Sequence, residues 1–211
     1  MMTAPGAPIS SRVVRERIVV AALGDSITAG SPGWDPDPAV RARIRPAPDP
    51  ESQYEHWAAL RDDRLEFRNS GVYGERTDEI ATRLERCGRG ADVLVVQGGI
   101  NDVAQRRPVE AAAADLRAMV RRGRDHGLRV AIADVLPWNN GFPDAEAPIR
   151  RLNALVEELA AEEQVVLLPF HETLEDPERP GRMVEAWTSD GDHPSVEGYR
   201  RLGELAFRLP A

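Results

Sequence analysis

Lysine is absent from this chain: all 27 basic residues are arginine, set against 35 acids for a formal charge of -8. That balance argues against nucleic acid as a partner, because neutralising phosphates needs clustered cations. The densest cationic cluster, Arg121, Arg122 and Arg124, reads as the solvated face of a helix. Cysteine occurs once, at Cys87, so no intramolecular disulfide can form and thiolate-rich metal sites are excluded. Beside Gly88, at an expected helix end, it reads as a buried structural thiol. Long apolar runs are missing as well. The stretch "RVVRERIVVAALG" has the basic-then-apolar order of a secretion leader, but its apolar run, Ile18 to Leu23, is six residues long. A leader core needs about 7–15 such residues, and a membrane-spanning helix about 20. A cytoplasmic protein with no membrane span is expected. No HExxH and no Cys/His ligand spacing is present, so no metal is expected.

What is present is an ordinary globular composition, 42% apolar and 29% charged, over 211 residues. One domain spanning residues 1–211 is expected, since there is no internal repeat and no linker, with residues 1–16 flexible. Short β-branched runs at Ile18–Leu23, Leu65–Arg68, Val93–Gln97, Arg129–Ala133 and Val165–Leu168 alternate with helical patterns. The helical patterns cover Glu51–Leu60, Glu75–Arg86, Val109–His126, Ala145–Glu163 and Val196–Leu209. The strand segments lack strict alternation, as parallel strands covered on both faces do. The repeated β-then-α order predicts a three-layer αβα sandwich around a central parallel sheet of about five strands, flavodoxin-like. In such sheets, sites form beyond the carboxyl ends of the strands.

One segment breaks the rhythm. Residues 31–50, "SPGWDPDPAVRARIRPAPDP", hold six prolines and cannot form a regular helix or a central strand. This segment leaves the first strand's carboxyl end, so it reads either as a lid or pocket wall carrying Trp34 or as a solvated surface loop.

Polar residues crowd the ends of the strands. After the first comes "GDSITAG", after the second "NSGVYGERT", after the third "GGIND", after the fourth "DVLPWNNG"; "WTSDGDHPSVEGY" stands before the last helix. Ser26 alone could be a helix N-cap, Gly71 a turn glycine, Asn101 a cap, and His193 a structural residue before Pro194. A metal cluster of Asp25, Asp190, Asp192 and His193 is a further option, without a supporting motif. Asp190 and His193 lie three residues apart in one turn, which lets the carboxylate take the proton-bearing ring nitrogen and leaves the other nitrogen free as a base.

In these blocks the chain resembles the SGNH hydrolases, also called the GDSL esterase/lipase family. The four letters match Ser26 in "GDSIT", Gly71 in "NSGVYG", Asn101 in "GGIND" and His193 in "DGDHP", in the family's order from residue 24 to 194. The resemblance implies a Ser26–His193–Asp190 triad. Ser26 would attack, His193 would take its proton, and Asp190 would fix the imidazole tautomer. It also implies an oxyanion hole made of the backbone N–H groups of Ser26 and Gly71 and the side-chain amide of Asn101, each donor worth about 3–4 kcal/mol in comparable sites. Asp25, Asn69 and Asp102 read as residues that hold these loops in shape. Asp192, where the family often has an apolar residue, would favour the charged imidazolium if it lies near the ring.

The family spans acetyl-sugar esterases, thioesterases, lysophospholipases and short-chain aryl esterases. Trp34, Trp138 and Trp187 sit on loops near the expected crevice and are candidate substrate-binding residues. The amides of "PWNNG" could add polar contacts. The expected activity is hydrolysis of a small-molecule ester, with a short acyl group on a small or glycosidic alcohol, through an acyl-enzyme and without a cofactor. Acyl transfer on the same site and a catalytically silent binding module are the alternatives. Oligomeric state is not readable from the sequence.

Overall fold

The protein is described by a computed structural model, covering residues 16–31, 34–43 and 47–210. In chain order the elements are β1 (Ile18–Gly24), α1 (Ser26–Ala29), α2 (Pro38–Arg41), α3 (Tyr54–Arg61), β2 (Leu65–Gly71), α4 (Thr77–Ala81), α5 (Leu84–Gly88) and β3 (Val93–Val96). There follow α6 (Ile100–Ala104), α7 (Val109–Asp125), β4 (Arg129–Ala133), α8 (Glu146–Glu163), β5 (Val166–Leu168), α9 (Phe170–Leu174), β6 (Glu175–Asp176), β7 (Arg179–Met183) and α10 (Val196–Arg201).

The five main strands form one parallel sheet in the order β2-β1-β3-β4-β5. Successive residues of a strand point to opposite faces, and the core divides accordingly. Ala21, Leu23, Leu94, Val96, Val130 and Ile132 face one cluster, closed by Leu116, Met119 and Val120 of α7 and Ile149, Leu152 and Val156 of α8. Val20, Ala22, Val93, Val95, Ala131 and Ala133 face the other, closed by Tyr54 of α3, Phe170 and Leu174 of α9, and Tyr199 of α10. A sheet buried on both faces needs apolar residues at every central position, which is why these strands read as continuous runs. The chain leaves β1 for one neighbour and passes from β2 to β3 on the other side, so the strand order reverses beside β1. In open α/β sheets the ligand crevice lies at such a switch in strand order, here beyond the ends of β1 and β3.

Three expected helices are divided. Glu51–Leu60 is a 3-10 turn (Pro50–Ser52) followed by α3. Gln53 between them is extended and its amide donates to the Ala29 carbonyl at the end of α1 (2.8 Å). Glu75–Arg86 breaks into α4 and α5 at Thr82 and Arg83. There the Arg83 guanidinium turns inward to the Gly24 carbonyl (3.0 Å), the Ser70 carbonyl and Glu75. The last helix passes from α10 into a π-helical turn, Leu202–Ala206, whose Gly203 lies so close to α3 that a Cβ would stand 2.4 Å from the Tyr54 carbonyl oxygen. The proline-rich segment does contain one helical turn, α2, because Pro38 occupies the first position, where no N–H is needed, and Asp37 caps it. The antiparallel β6–β7 hairpin, polar and proline-containing, carries no strand pattern. Residues 1–15, where flexibility is expected, lie outside the described residues. No helix among the described residues is long and apolar enough to cross a membrane.

Candidate active site

β1 ends at Gly24 and the chain turns at once into α1. Asp25 is the N-cap: its Oδ1 accepts from Ile27 N–H (2.9 Å). Gln97, just past β3, holds the same turn from beneath. Its Oε1 accepts from Asp25 N–H (3.2 Å), Thr28 N–H (3.2 Å) and Thr28 Oγ1 (2.8 Å). Ser26 is thereby the first residue of a helix, and its N–H has no intrahelical acceptor. Asp25 is wholly buried, and burial pushes its carboxyl up to about 6, against the pull of Ile27 N–H, Gln97 and His193.

From 167 residues away, His193 places Nε2 3.0 Å from Ser26 Oγ. Its Nδ1 lies 2.9 Å from Asp190 Oδ2. The other oxygen of Asp190 accepts the backbone N–H groups of Asp192 (2.9 Å) and His193 (2.7 Å). Partial burial works against the Asp190 anion, but these N–H donors and the imidazole outweigh it and hold the carboxyl below its ordinary range. With Nδ1–H donated to Asp190, Nε2 is left as an acceptor facing the hydroxyl. Asp192 lies within electrostatic reach of His193. Burial raises its carboxyl, the imidazolium draws it down, and Asp190 raises it.

The loop carrying Asp190 and His193 is held from two sides. Locally, Thr188 Oγ1 donates to the His193 carbonyl (2.9 Å) and accepts from Gly191 N–H (2.8 Å). From beyond β4, Asn139 N–H donates to the Gly191 carbonyl (2.8 Å) and Asn140 Nδ2 to the Asp190 carbonyl (3.0 Å). The Asn139 side chain is paired both ways with the backbone of Met183 at the end of β7. Of the side-chain amides expected at the pocket, Asn140 is therefore spent on the histidine loop and Asn139 on β7.

Gly71 does not present a free donor. Its N–H goes to Asn69 Oδ1 (2.9 Å), and it pairs with Gly24 in the β1–β2 register. It is glycine because α1 crosses it: a Cβ would stand 2.0 Å from Ala29 N. This corrects the expected oxyanion role of Gly71. The glycine three residues on, Gly74, has φ +78° and open space where a Cβ would stand. No protein acceptor for its N–H is found among the described residues. Asn101, in the first turn of α6, donates from Nδ2 to the Glu75 carbonyl (3.0 Å), which brings its amide to the same loop and leaves its second N–H unspent. The half-buried pair of Arg83 and Glu75 ties that loop to the ends of β1 and β2. Asp102 is fully buried and accepts from Thr77 N–H, Thr77 Oγ1 and Arg107, anchoring the start of α4.

The tryptophans are occupied elsewhere. Arg41 stacks on Trp34 (4.3 Å), and Arg201 stacks on Trp187 (3.7 Å). Trp138 packs edge-on against Phe142 (5.5 Å between centroids) and into the α7–α8 side of the core. None of them shares a ring contact or hydrogen bond with the side chains of Ser26, Asp190 or His193 among the described residues. The aromatic side chain beside His193 is Tyr73, with ring centroids 6.3 Å apart and 39% exposure. Its hydroxyl donates to the Gly30 or Ser31 carbonyl (2.9 and 2.6 Å), at the root of the proline-rich segment. Among the described residues no group of three or more His, Cys, Asp or Glu side chains is arranged to hold a metal ion.

A scan against family models matches residues 22–201 to the GDSL-like lipase/acylhydrolase family. The chain belongs to that family. Solved structures agree on the fold. A protein described as lipolytic and of the G-D-S-L family from Desulfitobacterium hafniense DCB-2 superposes with a TM-score of 0.72 at 20% identity, covering 89% of this chain and 97% of its own. A GDSL-like lipase from Bacteroides thetaiotaomicron VPI-5482 gives 0.68 at 21% identity, over 93% and 89%. Axe2, an acetylxylan esterase from Geobacillus stearothermophilus, gives 0.68 at 17%, over 89% and 91%. No curated protein sequence matches the chain. In this GDSL-family protein the turn after β1 and the loop before α10 bring Ser26 Oγ and His193 Nε2 within 3.0 Å of each other.

Proposed function

We propose that this GDSL-family protein is a serine ester hydrolase working through Ser26, His193 and Asp190. One observation carries the reading: the unbroken relay from Ser26 Oγ to His193 Nε2 (3.0 Å) and from His193 Nδ1 to Asp190 (2.9 Å). In the first step Ser26 Oγ attacks the ester carbonyl while Nε2 takes its proton. Asp190 stabilises the resulting imidazolium and holds its orientation. Negative charge gathers on the former carbonyl oxygen, and the unspent N–H groups of Ser26, Gly74 and Asn101 are the donors we assign to it. The C–O bond to the alcohol breaks, and the alkoxide leaves with the proton from Nε2. Water, deprotonated by the same nitrogen, then attacks the acyl-enzyme; the bond from the acyl carbon to Ser26 Oγ breaks, Nε2 returns the proton to Oγ, and the acid is released.

The substrate reading is a short acyl ester of a small or glycosidic alcohol. The groups beside His193 are the exposed phenol of Tyr73 and the carboxyl of Asp192, whose polarity supports polar alcohols over long acyl chains, and one structural neighbour bears the name acetylxylan esterase. The test is hydrolysis of p-nitrophenyl acetate through octanoate by the wild type and Ser26→Ala. Acetate should be preferred, and Ser26→Ala should lose about 10³-fold or more in kcat. A fluorophosphonate should label the wild type on Ser26. Retention of activity in Ser26→Ala, or labelling at another residue, would refute the assignment.

A further inference from the structure

Behind the nucleophile helix lies a carboxyl group that the proposed reaction does not use. Glu55, the second residue of α3, is only 4% exposed. Its Oε1 accepts from Asn69 Nδ2 at 2.9 Å, while Oε2 is sealed from solvent without a hydrogen-bond partner. The other N–H of that amide goes to the Thr28 carbonyl in α1, and Asn69 Oδ1 accepts from Gly71 N–H. One asparagine thus joins α3, the nucleophile helix and the end of β2, and every polar atom of its side chain is engaged.

We propose that Glu55 is a positioning residue for the nucleophile: acting through Asn69, its carboxyl fixes α1, and with it Ser26, against the sheet edge that faces His193. Its surroundings favour the neutral acid over the anion. The titratable groups that face it are the phenols of Tyr54 on α3 and Tyr199 on α10, both of which feel its charge, and Tyr199 also feels Asp25 before α1. Among the described residues no arginine or histidine pairs with it. An anion there would be buried without compensation, and burial holds the carboxyl well above the ordinary glutamate range. The hydroxyls of Tyr54 and Tyr199 are buried without a hydrogen-bond partner as well.

The kinetic arm of the test rests on the ester-hydrolase reading; the second arm does not. Glu55→Gln keeps an acceptor for Asn69 and cannot ionise, whereas Glu55→Ala removes the acceptor. On p-nitrophenyl acetate, Glu55→Gln should stay within about threefold of wild-type kcat, and Glu55→Ala should lose about tenfold or more with KM little changed. In the second arm, Tm is followed between about pH 5 and pH 9. A folded-state pKa raised above the unfolded value contributes stability at low pH that is lost as pH rises. The Tm of Glu55→Gln relative to wild type should therefore climb with pH. Wild-type kcat in Glu55→Ala, or a Glu55→Gln variant as slow as the alanine variant, overturns the positioning role. Parallel Tm curves overturn the neutral acid, whether or not Glu55→Ala folds. A wild type inactive on every ester defeats the hydrolase reading alone, and the Tm curves still decide the state of Glu55.

Discussion

Asp190 offers the sharpest separation between orienting a base and holding a loop. One of its oxygens faces His193 Nδ1 and the other takes two backbone N–H groups. Asp190→Asn can keep the second function with its amide oxygen, but its NH2 group then faces Nδ1. The imidazole must turn Nδ1 into an acceptor, which puts the proton on Nε2, where it blocks proton transfer from Ser26. In a buried triad this change costs about 10⁴ in kcat. Here the Asp190 side chain is 53% exposed, and an exposed ion pair of this kind is worth at most about 1 kcal/mol. The tautomer penalty is a matter of hydrogen-bond direction, so it survives the screening. A loss of about 10²–10³ in kcat follows, about 3–4 kcal/mol on the barrier. Asp190→Ala leaves Nδ1 to water, which tolerates the productive tautomer, so its kcat should fall less, by about 10–10². It strips the acceptor from two loop N–H groups, however, at about 1–2 kcal/mol in all, or about 3–8 °C in Tm for a domain of this size. Because the folded carboxyl is held below its ordinary range, this contribution is present at neutral pH. It disappears as pH falls through the folded value, so the Tm gap to Asp190→Ala should close in acid. Steady-state hydrolysis of p-nitrophenyl acetate and thermal unfolding read the two effects. An asparagine variant faster than the alanine variant would refute the reasoning.

The two glycines of the block after β2 should respond differently. Gly71→Ala drives a Cβ into the backbone of α1 and should cost several degrees of Tm or the fold itself. Gly74→Ala meets no atoms but strains a residue at φ +78° beside the proposed oxyanion donors, at about 1 kcal/mol in stability; kcat should fall about tenfold or more. Equal kcat losses at matched stability would return the donor role to Gly71. Asn140→Ala removes the hydrogen bond to the Asp190 carbonyl and should lower kcat about threefold to tenfold, with Tm changed by no more than about 3 °C. Unchanged kcat would show that the Asn139 and Thr188 contacts suffice.

Much of this protein is determined by local pattern. The short apolar runs of β1, β3 and β4 become the inner parallel strands because a sheet covered on both faces admits only apolar residues at its centre, and that requirement is visible at each position separately. The polar residues beyond those runs are conspicuous because packing gives no reason for them. Tertiary structure decided how the polar groups were spent. Gly71 and Gly74 stand three residues apart in one loop, and only the crossing of α1 and the Asn69 hydrogen bond show which N–H is engaged and which is unspent. The amides of Asn139 and Asn140 are polar in any reading, yet their partners lie 44 to 52 positions on, at Met183, Asp190 and Gly191. Glu55 has nothing local to distinguish it from an exposed helix residue, and its burial comes from α1 and β2 closing over it. Strand and helix periodicity is a short-range property, written in neighbouring side chains. A hydrogen bond across the fold depends on where the backbone has carried both partners, and no window of sequence contains that.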